Sequence, residues 1–342
     1  MNPRMPAEWA EHDACLMAWP TRPALWGPAF EAAKQEYAAV ARAIAAFEPV
    51  LMIAAPGLAE EARAACGTGT GTGTEDIEVI ELPIDDSWLR DSGPVFAHDE
   101  HGARVGIDFR FNAWGEKHYP WTADDKLASL LLDRLGTPRV HSSMILEGGA
   151  ITVDGEGTLI TTEQCLLHPN RNPCMSRAEI EDELGRRLGI EKVIWLPYGG
   201  LEDTETDGHV DGVAAYVGPA KVVVSLPEDP AHPDHARMRA NLAVLEASTD
   251  ARGRALEAVP VPQTTYGEVA GTRVEVGYLN FYLANGGCVV PVGGTPQDEA
   301  ALAVLAAALP GRTVVGVPTP VLAYGGGGVH CITQQLPKEA RA

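Results

Sequence analysis

Residues 208–217 read GHVDGVAAYV, a polar, glycine-flanked cluster that runs straight into an apolar stretch. The same order returns four more times: RDSGPVF at 90–96, LEGGAITV at 146–153, LANGGCVVPV at 283–292 and GGGGVHCIT at 325–333. In each, the apolar run predicts a strand, and the polar residues stand in the loop beside it, where functional groups are usually carried. With Asp91, Glu147, His209, Asn285 and Cys331 as markers, the steps are 56, 62, 76 and 46 residues, with a mean of 60. Recurrence at such a period predicts repeated strand-plus-helix modules around a common centre, each lending it one polar cluster. Five segments carry helical periodicity: 28–47, 123–136, 176–189, 234–248 and 297–311. Several begin near Ser, Asp or Pro and end in Gly, as helix caps require. Short apolar runs such as KVVVSL (221–226) and RTVVGV (312–317) read as strands between them, so the fold class is α/β. The low-complexity GTGTGTGT at 67–74 has nothing to bury and predicts a flexible surface loop.

Composition narrows the function. Of 342 residues, 45% are hydrophobic and 21% charged, which is ordinary for a globular protein. Met1–Ala14 contains no apolar core segment, so no signal peptide is expected. No apolar run reaches the length of a membrane helix, and a cytoplasmic location is the expectation. Cys15, Cys66, Cys165, Cys174, Cys288 and Cys331 show no CxxC spacing and fit free thiols in a reducing compartment. Forty-seven acidic against 26 basic residues give a formal charge of −21. That field opposes nucleic acid and anionic membrane surfaces and draws in small cations.

The candidate chemistry sits in the recurring clusters. DDSWLRDSGP (85–94) sets Trp88 close to Asp91, and an aromatic face beside a carboxylate is a means of holding a planar cation. Read as a strand, TDGHVDGVAAYV (206–217) places His209 and Asp211 on one face. The same letters spell Asp207-x-His209-x-Asp211, a spacing found in manganese ureohydrolases, and that metal reading stays open at this point. Glu147 is a third carboxylate in the same local context. Cys331 alone among the cysteines follows a glycine run and precedes polar residues, whereas Cys15 and Cys288 read as core. His330, adjacent to it, would face the other side of a strand, which leaves His209 as candidate base. Together these residues suit one substrate type: carboxylates grip a guanidinium, Cys331 attacks its central carbon and His209 moves protons.

RMPAEWAEHDACLMAWP (4–20), DDSWLRDSGPVF (85–96), FRFNAWGEKHYPW (109–121), LEGGAITVDGEGTLITTEQCLLHPNRNP (146–173), DGHVDG (207–212), YLNFYLANGGCVVP (278–291) and YGGGGVHCITQQLP (324–337) together resemble the agmatine deiminase family. The resemblance runs in order over nearly the whole chain. The family lies among the guanidino-group-modifying enzymes, close to the bacterial peptidylarginine deiminases. It implies a five-bladed, pseudo-symmetric α/β propeller (pentein) of ββαβ-type units, with residues 1–342 as one domain. It also implies hydrolysis of agmatine to N-carbamoylputrescine and ammonia through a thiouronium on Cys331. His209 would be the acid/base, Glu147 would orient it, Asp91 and Asp211 would clamp the guanidinium, and Trp88 would close over it. Gly325–Gly328 would bring backbone against the flat substrate. Neither metal nor organic cofactor is implied, and a homodimer or larger homo-oligomer is expected. Free arginine or peptidyl-arginine is the alternative substrate, with Arg110 or Arg171 as a clamp for an α-carboxylate. Gly212, where many relatives have Asn, bears on that preference.

Overall fold

The computed structural model describes residues 3–67, 76–262 and 264–340, so most of the 67–74 loop expected from the sequence lies outside the described residues. Strand β1 (His12–Ala18) is followed by β2 (Val50–Ala54) and β3 (Ile77–Glu81), all parallel. The helices Phe30–Ala45 and Ala59–Cys66 make the crossovers, because parallel neighbours cannot be joined by a tight turn. Next come β4 (Val95–His98), β5 (Arg104–Arg110) and β6 (Arg139–Ile145). Here the first pair is an antiparallel hairpin and the second a parallel pair bridged by the helix Asp124–Leu135.

That unit repeats. It recurs as β7 (Thr152–Val153), β8 (Thr158–Thr162) and β9 (Lys192–Leu196), with the helix Arg177–Leu188. It recurs again as β10 (Ala214–Gly218), β11 (Lys221–Ser225) and β12 (Glu257–Val261), with the helix His235–Glu246. A hairpin, β13 (Thr264–Val269) and β14 (Thr272–Gly277), interrupts the series. The next module is β15 (Tyr282–Ala284), β16 (Gly287–Val292) and β17 (Thr313–Pro318), with the helix Gln297–Ala308.

Finally β18 (Thr333–Pro337) returns to pair antiparallel with β1, supplying the missing hairpin partner of the first module. Joining the last strand to the first closes five ββαβ-type units into a ring and leaves no module short of its inner strand. The architecture is therefore the five-bladed α/β propeller that the family resemblance implied, built from the modules that the recurrence predicted. One strand from each blade (β4, β7, β10, β15 and β18) borders two adjoining axial cavities, which places these strands innermost.

All five expected helices form, with their ends shifted by at most three residues. Ser176 and Glu179 make a reciprocal capping box at one start, and Gly136 and Gly189 take left-handed C-caps. The helix Ala59–Cys66 escaped the sequence reading, being little more than two turns long. Among the described residues, no helix is long and apolar enough to cross a membrane.

Candidate active site

The residues that enter the five inner strands converge at one end of the axis. Asp91 lies in the short helix Leu89–Ser92 before β4, and Glu147 precedes the turn Gly148–Ala150 before β7. His209 precedes the turn Val210–Gly212 before β10, and Cys331 lies two residues before β18. The fifth member is Asn280, not Asn285. Asn285 sits in the β15–β16 hairpin turn, where its backbone N–H donates to Glu48 Oε2 and its Nδ2 to the His12 carbonyl. The Asn-Gly-Gly signal of that turn drew the marker five residues too far along the chain. With Asn280 in place the last two steps become 71 and 51 residues, closer to the mean.

Cys331 stands between Asn280 and Asp211. Its thiol lies 3.3 Å from Asn280 Oδ1 and 3.7 Å from Asp211 Oδ2, and its backbone N–H donates to Asn280 Oδ1 at 3.2 Å. Asp91 Oδ2 accepts from Trp114 Nε1 at 2.9 Å, and its Oδ1 accepts from the Gly149 N–H at 3.0 Å. His209 Nδ1 lies 3.9 Å from Asp91 Oδ2. A methyl group on Gly149 would stand 2.5 Å from His209 Nδ1 and 3.0 Å from both Asp91 and Asp211 oxygens, so only glycine lets these three side chains meet. Glu147 is wholly buried, and its Oε1 accepts from Arg171 Nε at 2.6 Å.

Charge is unevenly supplied. Burial pushes the Asp91 carboxyl up, and the negative charges of Asp211 and Glu147 add to the rise while His209 opposes it. Burial disfavours a charged His209, yet Asp91 and its other acidic neighbours hold the imidazole well above its ordinary value. The Cys331 thiol is pushed well above its ordinary value by burial and then by Asp211 and Asp91. The site thus holds an imidazolium, a neutral thiol and an excess of carboxylate, an arrangement that a bound cation would balance.

Several expectations change with the fold in view. His209 and Asp211 do face the same site, but across a 3-10 turn and not along a strand. Asp207 leaves the proposed Asp-x-His-x-Asp set: its φ of +61° and that of Gly208, +91°, swing it away to Arg171 Nη1 (2.8 Å), Asn170 Nδ2 (2.9 Å) and Lys117 Nζ (2.8 Å). Donor atoms of Glu147, Cys165 and His209 lie within 4.8 Å of one another. Of these, Glu147 Oε1 is taken by Arg171 and the Cys165 thiol is held protonated by burial, which suits an imidazolium better than a metal ion.

His330 also departs from its expected orientation. The chain at Cys331 is a turn and not a strand, so adjacent side chains need not oppose each other, and His330 Nδ1 sits 2.9 Å from Asp211 Oδ2. On its other side Nε2 lies 2.9 Å from Glu8 Oε2. Burial would raise the Glu8 carboxyl, but His330 and Arg90 bring it down to about 2. Arg171 is spent on Glu147 and Asp207, and Arg110 is exposed at the end of β5, so neither is aimed into the cleft.

Above the thiol opens a cleft of about 390 Å³ walled by Leu25, Trp88, Trp114, Thr206, Gly325 and Gly326, with Asp86, Asp91, His118 and Glu205 as its titratable groups besides Cys331. Trp88 is not a free lid: it is buried and stacked on Trp26 with ring centroids 5.7 Å apart. The glycine run serves this wall. A methyl on Gly327 would stand 2.4 Å from the Trp88 ring, and one on Gly325 would stand 2.2 Å from Trp26. Trp114 and Asn280 went unassigned in the sequence reading. Trp114 is presented by four consecutive residues with positive φ, Ala113–Glu116, a segment closed by the Gly115 N–H donating to Asn112 Oδ1 at 2.9 Å. The signal for it was the polar-aromatic NAWG, one of the quoted blocks.

Residues 4–337 match the model of the Porphyromonas-type peptidyl-arginine deiminases. The chain belongs to that family. Among its relatives is a protein named agmatine deiminase from Pseudomonas aeruginosa (strain LESB58), 43% identical over 362 residues that cover 99% of this chain and 96% of the relative. The structure of the agmatine deiminase of Enterococcus faecalis, described as catalysing its reaction, superposes with a TM-score of 0.93 at 33% identity, covering 99% and 97% of the two chains. An agmatine deiminase of C. Jejuni with substrate bound superposes with a TM-score of 0.89 at 25% identity, with the same coverage. The likeness extends over the whole propeller, with no separate part of this chain left unmatched.

Proposed function

We infer that the protein is an agmatine deiminase, a hydrolase of the C–N bond of a linear amidine, with Cys331 as nucleophile. The observation that carries the reading is the Cys331 thiol at the floor of a cleft whose charged lining is acidic. Among the described residues, neither Lys nor Arg lines the cleft; of its acids, Asp86 is buried against Arg22 Nε at 3.0 Å, while Glu205 is exposed beside His118. A free α-carboxylate would meet like charge there, whereas the ammonium end of agmatine would meet its opposite. The relatives named agmatine deiminase support the same substrate.

In the mechanism, Asp91 and Asp211 take the guanidinium between them. Its positive charge offsets the two carboxylates that keep the thiol protonated, so binding itself favours loss of the Cys331 proton to solvent and leaves the thiolate. The sulfur attacks the guanidinium carbon, and the His209 imidazolium gives its proton to the departing nitrogen. Ammonia leaves and a thiouronium remains on Cys331. His209, now neutral, takes a proton from water as the oxygen bonds to carbon. The C–S bond then breaks, the electron pair returns to sulfur, the hydroxyl proton passes to the thiolate and restores the neutral thiol, and N-carbamoylputrescine is released. Glu147, fixed by Arg171, orients His209, and the Trp88 and Trp114 rings bound the planar group.

The test is ammonia release from agmatine, free arginine and a peptidyl-arginine, with and without EDTA, in wild type and Cys331→Ala. We expect turnover of agmatine, insensitivity to the chelator, and a loss of at least about a thousandfold in the variant. Turnover of arginine in preference to agmatine, or retained activity in Cys331→Ala, would overturn the reading.

A further inference from the structure

Behind the thiol, on the far side of Asp211, lie two small adjoining cavities of the propeller axis, each with room for little more than a water molecule. They share Glu8, Ile151 and Thr152, and both are walled by inner strands. One is bordered by Asp211 and His330, the other by Arg90. Only one side chain separates this space from the reacting centre, since Asp211 Oδ2 meets His330 at 2.9 Å on one side and the Cys331 thiol at 3.7 Å on the other. The walls are mixed, with Glu8, Arg90 and Thr152 set beside Ile151, Leu279 and Phe281; Glu8 keeps 19% of its side chain exposed, and Thr152 and Ala215 are half-buried. Arg90 Nη2 is buried without a hydrogen-bond partner and stands 3.7 Å from Glu8 Oε2, an ion-pair contact that leaves its N–H groups free for a water in the cavity.

Chemistry makes this position useful. After the first half-reaction the covalent adduct still carries the substrate's tail, which fills the front cleft between the Trp88 and Trp114 walls. The second half-reaction needs a water whose oxygen bonds to the thiouronium carbon, whose proton passes to His209, and whose attack breaks the C–S bond. We propose that the axial cavities form a rear chamber that delivers this hydrolytic water past Asp211 and His330, while the front cleft remains occupied. The inference rests on the deiminase reading above.

The experiment fills the chamber from a wall outside the reacting groups, with Ala215→Leu and, independently, Thr152→Leu. Rapid-quench ammonia production and the intact mass of the protein are followed together. In both variants the first turnover releases about one ammonia per site at the wild-type rate, which also shows that the site is folded. Steady-state turnover then falls about tenfold and the adduct mass accumulates on Cys331. Equal slowing of first and later turnovers, or no change in either variant, overturns the rear route and leaves water arriving from the front. The comparison is internal to whichever guanidino compound the wild type turns over. Failure of wild type on agmatine therefore counts against the substrate reading, and an unchanged ratio counts against the chamber.

Discussion

Asn280 shows how one side chain conditions the proposed nucleophile, Cys331. Its Oδ1 receives both the Cys331 backbone N–H and the thiol, so it fixes where the sulfur points. A methyl on Gly328 would stand 2.6 Å from the same oxygen, which ties the last glycine of the run to this contact. Replacing Asn280 by Ala would free the thiol to rotate while leaving Asp91 and Asp211 in place. We expect Asn280→Ala to lower kcat by about tenfold to a hundredfold with little change in KM, the pattern of an interaction that matters in the transition state and not in binding. Steady-state kinetics on agmatine check this; a raised KM with unchanged kcat would assign Asn280 to substrate binding.

At the level of elements, the helix Asp124–Leu135 does more than bridge β5 and β6. Its first residue, Asp124, is buried, and its Oδ1 accepts from the backbone N–H groups of Asp85 and Asp86, which lead into Trp88 and Asp91. Burial lifts this carboxyl from an ordinary value of 3.8 to about 7, and the charges of Asp86 and Asp85 add to the rise. The folded protein therefore holds the proton more tightly than the unfolded chain. Stability falls as pH rises through the window from about 4 to about 7, where folding must accept a buried charge. Asp124→Asn keeps the Oδ1 acceptor and removes the charge. Its melting temperature should exceed wild type by a few degrees at about pH 8 and converge with it at about pH 4. Thermal melts across that range decide the matter, and a variant less stable at every pH would show that both carboxylate oxygens are needed.

For the whole molecule, ring closure is the controlling feature. β18 pairs with β1 and also carries the buried Gln334 and Gln335, whose side-chain oxygens accept from Arg90 Nη1 at 2.8 and 2.7 Å. The last strand thus ties the first blade to the loop of Asp91 as well as completing its own sheet. Deleting residues 333–342 would expose the edge of β1 and orphan the buried Arg90 guanidinium. We expect such a chain to aggregate on refolding, as size-exclusion chromatography would show; a monomeric, cooperatively melting product would mean that four blades and a partial fifth suffice.

The sequence by itself determined the α/β class, the five modules, the longest helix of each and four of the five residues that enter the inner strands, because these follow from local periodicity and repeat spacing. It also marked Cys331, which alone follows a glycine run and precedes polar residues, while Cys15 and Cys288 proved wholly buried as their apolar settings implied. What it left open were contacts between residues far apart in the chain. Asn280 lies 51 residues from Cys331, Glu8 lies 322 residues from His330, and Arg171 meets Glu147 across 24. Backbone reversals mattered as much: positive φ at Asp207 and Gly208 removed Asp207 from the metal pattern, and the turn at Cys331 brought His330 to Asp211. Local pattern records which residues an element must bury; only ring closure brings the five strand ends to one axis and decides which carboxylate meets which cation.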